Sequence, residues 1–423
     1  MNLKKFNKRI NIIKEETNKF KTFSVSFYFH NELSKENAAL NALIPYVLKQ
    51  GSMNYKNMTE ISNVLEDLYG GTFDCGVTKK GLDQIIDFNF EFVSPNYIKN
   101  DDEYMNKVYD FIFDIIFNPL CENEAFLTEY VEREKENMID YIKGIVNDKK
   151  SYARLRCKEE MFRGEKNSVF KYGTIESINK ITADKLYKHY QEFLSSGRID
   201  VFVTGDIDSE ILEERLLNLN LKDKETDYPH YEIKETADSI NVVKESFDVM
   251  QGKISLGFTT DVGLKDCDKY ALVVFNSIFG SGAHSKLFNN VREKLSLCYY
   301  AYSRIDSYTG TMCVDSGVEF KNFKLAYDEI LTQLEGVKKG DFSDEETEIS
   351  KKAIINSLNS MKDNPSSLEN YRLNGLLAGK ITDIEDYIKA VKNVTREDII
   401  KVANKVKLHT AYYLYNEEKC KEI

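Results

Sequence analysis

The segment 279–299 combines residue types that could bind a peptide and act on its carbonyl group. It opens with a short glycine loop, Gly280-Ser281-Gly282. Because glycine has no side chain, a ligand can approach the backbone of such a loop closely. We therefore expect Gly280, Ser281 and Gly282 to contact a substrate.

An arginine and a tyrosine follow this loop at a spacing that would let them act together. The sequence predicts a helix over 285–294, with Arg292 near its end and Tyr299 at the start of a strand. A guanidinium and a phenol hydroxyl both donate hydrogen bonds, so the pair can bind a peptide carbonyl. It could also stabilise the oxyanion that forms when water attacks that carbonyl. The alternative is that Arg292 neutralises a helix C-terminus and Tyr299 is a core aromatic.

Composition restricts the class of protein around this segment. A chain of 423 residues is too long for one ordinary core, so at least two domains are expected. The net charge of -11 disfavours nucleic acid as a partner. The 7 cysteines form no CxxC pair, which suits a reducing compartment. Neither a signal peptide nor an apolar run that could cross a membrane is evident, and we expect a cytoplasmic protein.

The elements that must position these residues predict an α+β fold, with an antiparallel or mixed sheet packed by helices in each half. The polar segment that begins near residue 219 is predicted to separate the halves, giving domains 1–220 and 240–423 with a linker at 221–239. Hydrophobic periodicity predicts strands at 20–29, 82–93, 253–260, 297–305 and 311–320, and helices at 100–117, 124–146, 151–163 and 268–280.

The two halves also resemble each other in sequence. Residues 107–119 are similar to 325–337, and residues 178–190 are similar to 391–403. The pairs occur in the same order and at a nearly constant offset, which a chance similarity would not preserve. The sequence therefore predicts an internal duplication.

This duplicated plan and the 279–299 segment resemble the insulinase/pitrilysin-type metallopeptidases, including the mitochondrial-processing-peptidase-like members. The resemblance covers essentially the whole chain and implies two halves that close like a clamshell around an extended peptide. The arginine and tyrosine of the family match Arg292 and Tyr299 in the pattern R-E-K-x-x-L-x-Y. Ser296 stands where the family commonly has glycine.

The zinc motif of that family, HxxEH on an early helix, is missing from this chain. The matching helix is predicted at 40–52, where Ala42, Pro45 and Tyr46 replace the two histidines and the glutamate. None of these side chains can supply an imidazole or a carboxylate. The third ligand of the family would fall near positions 140–141, and it too is absent. We therefore expect no metal and no other cofactor in this chain.

A run of acidic residues lies close to that third position. Glu132, Glu134 and Glu136 alternate with other residues on a predicted helix. Such a charge run usually forms a solvated helix face, and that is the interpretation adopted for these three.

An intact arginine–tyrosine pair without a zinc motif resembles the non-zinc subunits of bacterial heterodimers in this family, the YmfF-type subgroup. This resemblance implies a homologous partner that carries HxxEH and zinc, and a shared peptide substrate. Arg292 and Tyr299 would then bind substrate and stabilise charge, and the chain would be inactive alone. The alternative is a catalytically silent scaffold or peptide-binding protein of the same fold. Neither nucleic acid nor a membrane is an expected partner.

Overall fold

A computed structural model describes residues 2–195, 197–219, 221 and 230–420 of the chain. In chain order, the strands are β1 (Asn2–Lys5), β2 (Ile10–Glu15), β3 (Thr22–Glu32), β4 (Thr72–Lys80), β5 (Asp83–Val93), β6 (Cys121–Glu122), β7 (Ala125–Phe126), β8 (Ile199–Thr204), β9 (Asn241–Ser246), β10 (Gly252–Thr259), β11 (Cys298–Asp306), β12 (Thr311–Val318) and β13 (Lys407–Tyr415).

Helices connect and cover these strands. They are α1 (Ala38–Leu48), α2 (Met58–Asp67), α3 (Tyr104–Phe117), α4 (Thr128–Gly144), α5 (Lys149–Met161), α6 (Ile175–Asn179), α7 (Ala183–Ser195), α8 (Glu210–Asn218), α9 (Lys269–Phe279), α10 (Phe323–Lys338), α11 (Asp344–Met361), α12 (Pro365–Leu377), α13 (Ile384–Lys392) and α14 (Arg396–Lys405), with a π-helix at Leu287–Lys294. The predicted α+β class is confirmed. The N-terminal strands β1 and β2, and β9 in the second unit, were not among the predicted elements.

Two compact units divide the chain. The first comprises Met1–Lys143 and Val169–His230, and the second comprises Gly144–Ser168 and Tyr231–Ile423. The segment Gly144–Ser168 therefore packs with residues that come much later in the sequence. The predicted domains were continuous ranges, and they placed this segment in the first domain, 1–220. Part of the predicted linker, residues 222–229, lies outside the described residues.

The first unit is built on a mixed sheet in the order β1-β2-β8-β3-β5-β4. Its β2 and β8 pair in parallel, and the other neighbours pair antiparallel. The alternation of β3 places Phe23, Val25, Phe27 and Phe29 on one face, where they join the core with helices that include α1 and α3. This sheet and its helices position α1, which corresponds to the helix predicted at 40–52 without the zinc motif.

The second unit has a sheet in the order β11-β12-β10-β13-β9, with β13 and β9 in parallel. Read from β4, the first sheet has the matching order β4-β5-β3-β8-β2, in which β8 and β2 are also parallel; strand β1 is added beyond β2. The strands predicted at 297–305 and 311–320 correspond to β11 and β12, which form a hairpin. It presents Tyr299 at the edge of the sheet.

Helix α5 packs on the second sheet within the second unit. Its Ala153 and Cys157 join a small apolar cluster with Leu414 of β13. Beside this cluster, Arg156 Nε lies 3.1 Å from the Glu245 carboxylate on β9. Buried apolar contacts and a flanking ion pair thus account for the grouping of Gly144–Ser168 with the second unit.

Candidate functional site

The glycine loop begins at the C-terminus of α9. Gly280 caps this helix, and its amide donates to the Asn276 carbonyl at 2.9 Å. A Cβ at position 280 would lie 2.4 Å from Ser303 Oγ and 2.7 Å from Leu287 Cδ1. The missing side chain therefore lets α9 pack against β11 and the π-helix. This is a packing reason for the glycine, and the ligand contact predicted for Gly280 stays a prediction.

The rest of the loop is exposed and turns sharply. Gly282 has a φ of +113°, and its carbonyl accepts a hydrogen bond from Ser285 Oγ at 2.7 Å. Ser281 lines a cleft of about 300 Å³ between α9 and α11. The same cleft contains the polar side chains of Asn276, Ser277 and Ser357. The loop therefore borders a cavity with hydrogen-bonding groups.

Arg292 lies on the π-helix Leu287–Lys294, in the place of the helix predicted at 285–294. The amide of Leu295 donates to the Asn290 carbonyl five residues earlier, at 3.1 Å. Such wide turns are rare and occur often at functional sites. The Arg292 guanidinium is half-exposed, lies 4.6 Å from the Phe288 ring centroid and pairs with Glu293 at 3.5 Å.

Ser296 ends the π-helix in a left-handed backbone conformation, with a φ of +51°. A position of this kind after a helix favours glycine, because a Cβ there is strained. The departure from the family's glycine thus has a conformational cost. It leaves the chain direction toward Tyr299 unchanged.

Replacing Ser296 by glycine should stabilise the chain by about 1 kcal/mol, because it removes the left-handed strain of a residue with a Cβ. The midpoint of urea unfolding measures the effect. Ser296→Ala is the matched control and should give no gain, since alanine keeps the Cβ. Equal midpoints for the glycine variant and the wild-type chain would contradict the strain argument.

Tyr299 lies at an irregularity of the β11–β12 ladder. Cys298 pairs with Val318 and Tyr300 pairs with Gly317, so the register shifts across Tyr299. A bulged residue has no partner opposite and can direct its side chain away from the regular alternation. The Tyr299 side chain is 54% exposed. It is therefore available to a ligand rather than part of the core.

Arg292 and Tyr299 lie on consecutive elements but do not touch. Among the described residues, no hydrogen bond or ring contact joins the two side chains. Burial raises the pKa of the intervening Cys298 thiol, and the nearby positive charge of Arg292 partly offsets this rise. The guanidinium is thus close to the start of β11.

The helix that would carry a zinc motif is α1. Ala42 and Pro45 are buried in it, and the Pro45 carbonyl accepts hydrogen bonds from the Lys49 amide and the Cys75 thiol. The Tyr46 hydroxyl lies 3.4 Å from the Tyr172 hydroxyl. A methyl group, a proline ring and a phenol occupy the three positions.

These side chains do not fit a zinc ion. Structural and catalytic zinc sites use imidazole, thiolate or carboxylate ligands in a tetrahedral arrangement. Within residues 2–195, 197–219, 221 and 230–420, no group of three or more His, Cys, Asp or Glu side chains is arranged to hold a metal.

A cleft takes the place of a metal site beside Tyr46. It has a volume of about 300 Å³, and its lining side chains come from α1, α4 and the segment before α6: Tyr46, Glu134, Asn137, Met138, Tyr141 and Tyr172. The expectation that Glu134 belongs to a solvated face was wrong, because its side chain is buried. Glu132 and Glu136 of the same helix are exposed, as expected. A step of two residues along α4, from Glu132 to Glu134 or from Glu134 to Glu136, moves between the solvent face and the cleft face.

A buried ionic cluster in the first unit was also missed from the sequence. His30 on β3 contacts Asp200 on β8 at 3.1 Å, and Arg198 lies 2.7 Å from the same carboxylate. Asp83 accepts a hydrogen bond from His230 at 2.9 Å. The only signal in the sequence was a histidine and an aspartate inside otherwise apolar strands.

The fold and the site together define a class of protein. Two α+β units carry an exposed arginine and tyrosine, while the helix for a metal motif has lost every ligand. The class they define is a two-unit metallopeptidase homologue whose α1 lacks the zinc ligands.

Comparisons with known proteins assign the family. The family description "Peptidase M16 inactive domain" matches residues 180–354. The chain is 34% identical over 406 residues to the "Probable inactive metalloprotease YmfF" of Bacillus subtilis (strain 168), covering 95% of both chains. It therefore belongs to the insulinase-like M16 peptidase family, as an inactive-type member.

Solved structures extend the likeness over the whole chain. A conserved protein from Enterococcus faecalis has a TM-score of 0.91 and 31% sequence identity, with 98% of each chain covered. A "peptidase M16 inactive domain" from Pseudomonas fluorescens has a TM-score of 0.76 at 15% identity, again with 98% of each chain covered. The second likeness concerns the fold alone. Within the part of the chain that the structure describes, no helix is long and apolar enough to cross a membrane.

Proposed function

We propose that this chain is the non-zinc subunit of a heterodimeric zinc metallopeptidase. In this proposal a homologous partner supplies HxxEH and the zinc ion. Arg292 and Tyr299 of this chain bind a carbonyl of the peptide substrate and stabilise the oxyanion formed from it.

The observation that carries the proposal is the exposure of both donors beside a β-bulge. A core tyrosine would follow the alternation of β11, whereas Tyr299 is 54% exposed where the register shifts. Arg292 is half-exposed and stacks on the Phe288 ring, so its guanidinium is open to a ligand. Fixed donors stabilise a developing negative charge without reorganising during the reaction.

The glycine loop would extend the peptide-binding surface. Ser281 borders a cleft of about 300 Å³ that contains hydrogen-bonding side chains. A peptide could place one side chain there while the exposed Gly282 leaves room for its backbone. In this proposal Gly280 supports the loop through its packing against Ser303.

The proposal also includes the internal duplication and the location. The matching strand order of the two sheets supports a duplication, because β8–β2 and β13–β9 are parallel pairs at corresponding positions. All 7 cysteines are free thiols, which favours a reducing compartment and hence the cytoplasm.

A mixing experiment tests the function. The isolated chain should contain no stoichiometric zinc by elemental analysis and should cleave no peptide in a fluorogenic library. Adding a homologous subunit with HxxEH should produce cleavage above that of the partner alone. Zinc bound tightly by the isolated chain, together with cleavage, would overturn the proposal.

The alternative is a catalytically silent scaffold. The absence of zinc-motif side chains at Ala42, Pro45 and Tyr46 is equally compatible with a scaffold. A scaffold, however, requires neither an exposed Arg292 nor an exposed Tyr299. Full activity of the pair after both residues are removed would therefore favour the scaffold.

A further inference from the structure

We propose that the cleft beside α1, lined by Tyr46, Glu134, Tyr141 and Tyr172, binds the cationic end of an arginine or lysine side chain. The residues that line this cleft all belong to the first unit, whereas Arg292 and Tyr299 belong to the second. It goes beyond the proposed function because it requires neither zinc nor a partner.

Glu134 is the central group of this cleft. Its carboxylate is buried, and Oε1 accepts hydrogen bonds from Gln50 at 2.7 Å and Asn137 at 3.3 Å. Among the described residues no donor reaches Oε2. Oε2 is also absent from the buried atoms that lack a partner, so it is open to the cleft that Glu134 lines. A carboxylate oxygen open to a cleft can accept a charge-assisted hydrogen bond from a cationic ligand.

The charges already near Glu134 do not satisfy it. Arg133 Nε is 3.9 Å from Oε1, and its side chain is 45% exposed. That guanidinium also stacks on the Tyr130 ring at 4.8 Å. An ion pair so long and so exposed contributes little. Lys49 pairs instead with Asp74 at 2.8 Å. A cation in the cleft could approach the Glu134 carboxylate more closely than Arg133 does, and with less exposure to solvent.

The aromatic walls favour the same class of ligand. The Tyr141 and Tyr172 rings meet edge to face at 5.2 Å, and the Tyr46 hydroxyl contacts that of Tyr172. Faces of tyrosine rings attract ammonium and guanidinium groups. Within the chain itself, Lys171 Nζ already lies 4.6 Å from the Tyr172 ring centroid. Together with the Met138 side chain, these rings can also hold the aliphatic part of a long side chain.

Size and composition select against other ligands. A volume of about 300 Å³ admits one long side chain rather than a folded element. A phosphate or carboxylate would face the negative charge of Glu134. A purely apolar side chain would leave the free carboxylate oxygen without a partner.

Direct binding to the full-length chain tests the site. The probe is Nα-acetyl-arginine amide, and its matched uncharged control is Nα-acetyl-citrulline amide, which has nearly the same shape. Saturation-transfer NMR and calorimetry should give millimolar binding of the arginine probe, with citrulline bound about tenfold more weakly. Equal binding of the two probes, or no saturable binding of arginine, would overturn the proposal.

Variants locate the binding. Glu134→Gln should weaken arginine binding about tenfold, whereas Glu136→Gln on the exposed face of the same helix should leave it unchanged. If Glu134→Gln does not fold, Tyr141→Ala decides, since this side chain is 55% exposed. It should weaken binding about threefold through loss of a ring.

The outcome is independent of the proposed peptidase role. Arg292→Ala should bind the arginine probe as the wild-type chain does, because it lies in the other unit. A loss of probe binding in Arg292→Ala but not in Glu134→Gln would place the ligand elsewhere and overturn the proposal.

Discussion

Replacing Arg292 by alanine should lower kcat/KM of the assembled peptidase about 100- to 1000-fold, which corresponds to about 3–4 kcal/mol of transition-state stabilisation. The physical reason is the loss of a fixed cationic donor to the oxyanion. Because the Arg292 side chain is half-exposed and stacks only on Phe288, its removal should leave the fold and the assembly intact. Steady-state kinetics on the mixed subunits measure the effect, and size-exclusion chromatography measures assembly.

Lys294→Ala is the matched control for this prediction. Lys294 is an exposed cation on the same π-helix, two residues beyond Arg292. Its removal should change kcat/KM little if position, rather than local charge, determines the rate. Tyr299→Phe should show an intermediate loss, since it removes one neutral donor and keeps the ring. Similar losses for Lys294→Ala and Arg292→Ala would contradict a specific role.

The fold could be predicted from the sequence where periodicity is strong. The strand at 82–93 and the helix at 268–280 match β5 and α9 because long runs of apolar residues leave few other structures. The short N-terminal strand β2 was missed. It alternates weakly among charged residues and is fixed by its parallel pairing with β8, which is distant in sequence.

The candidate site could be predicted from the sequence only in part, for the same reason. Arg292 and Tyr299 could be identified by their spacing, because their elements are consecutive in the chain. The buried side of α4 could not, since Glu134 differs from Glu132 only through the tertiary contacts made by α1. The left-handed backbone at Ser296 and the π-helix before it also depend on packing that local patterns do not record.

Removing the carboxylate of Asp200 should destabilise the first unit by about 3–5 kcal/mol, the usual cost of leaving a buried charge unpaired. Asp200 is 0% exposed and is bound by Arg198, His30 and Asn11. Asp200→Ala would leave the buried His30 with Asp83, 3.6 Å from its Nδ1, as its remaining carboxylate, and would remove an acceptor from the partly exposed Arg198 and Asn11. Urea unfolding measures the loss. Asp206→Ala, at an exposed position after the same strand, should change stability by less than about 0.5 kcal/mol.

The same cluster determines how stability depends on pH. Burial favours a raised pKa for Asp200, but Arg198 and His30 outweigh it and lower the pKa from its ordinary 3.8. The stability that Asp200 contributes is therefore present above pH 3.8 and lost as the pH falls through its lower folded value.

His30 has the opposite dependence. Burial favours a lower pKa, yet the hydrogen bond to Asp200 and the negative charge of the nearby Asp83 raise the pKa of His30 above 6.5. Its contribution is complete below pH 6.5 and is lost as the pH rises through the raised folded value. The unfolding midpoints of wild-type and His30→Gln chains should therefore converge as the pH rises above 6.5. His230, which also contacts Asp83, stays in both chains, so a gap that does not change with pH would exclude a charged His30–Asp200 pair as its cause.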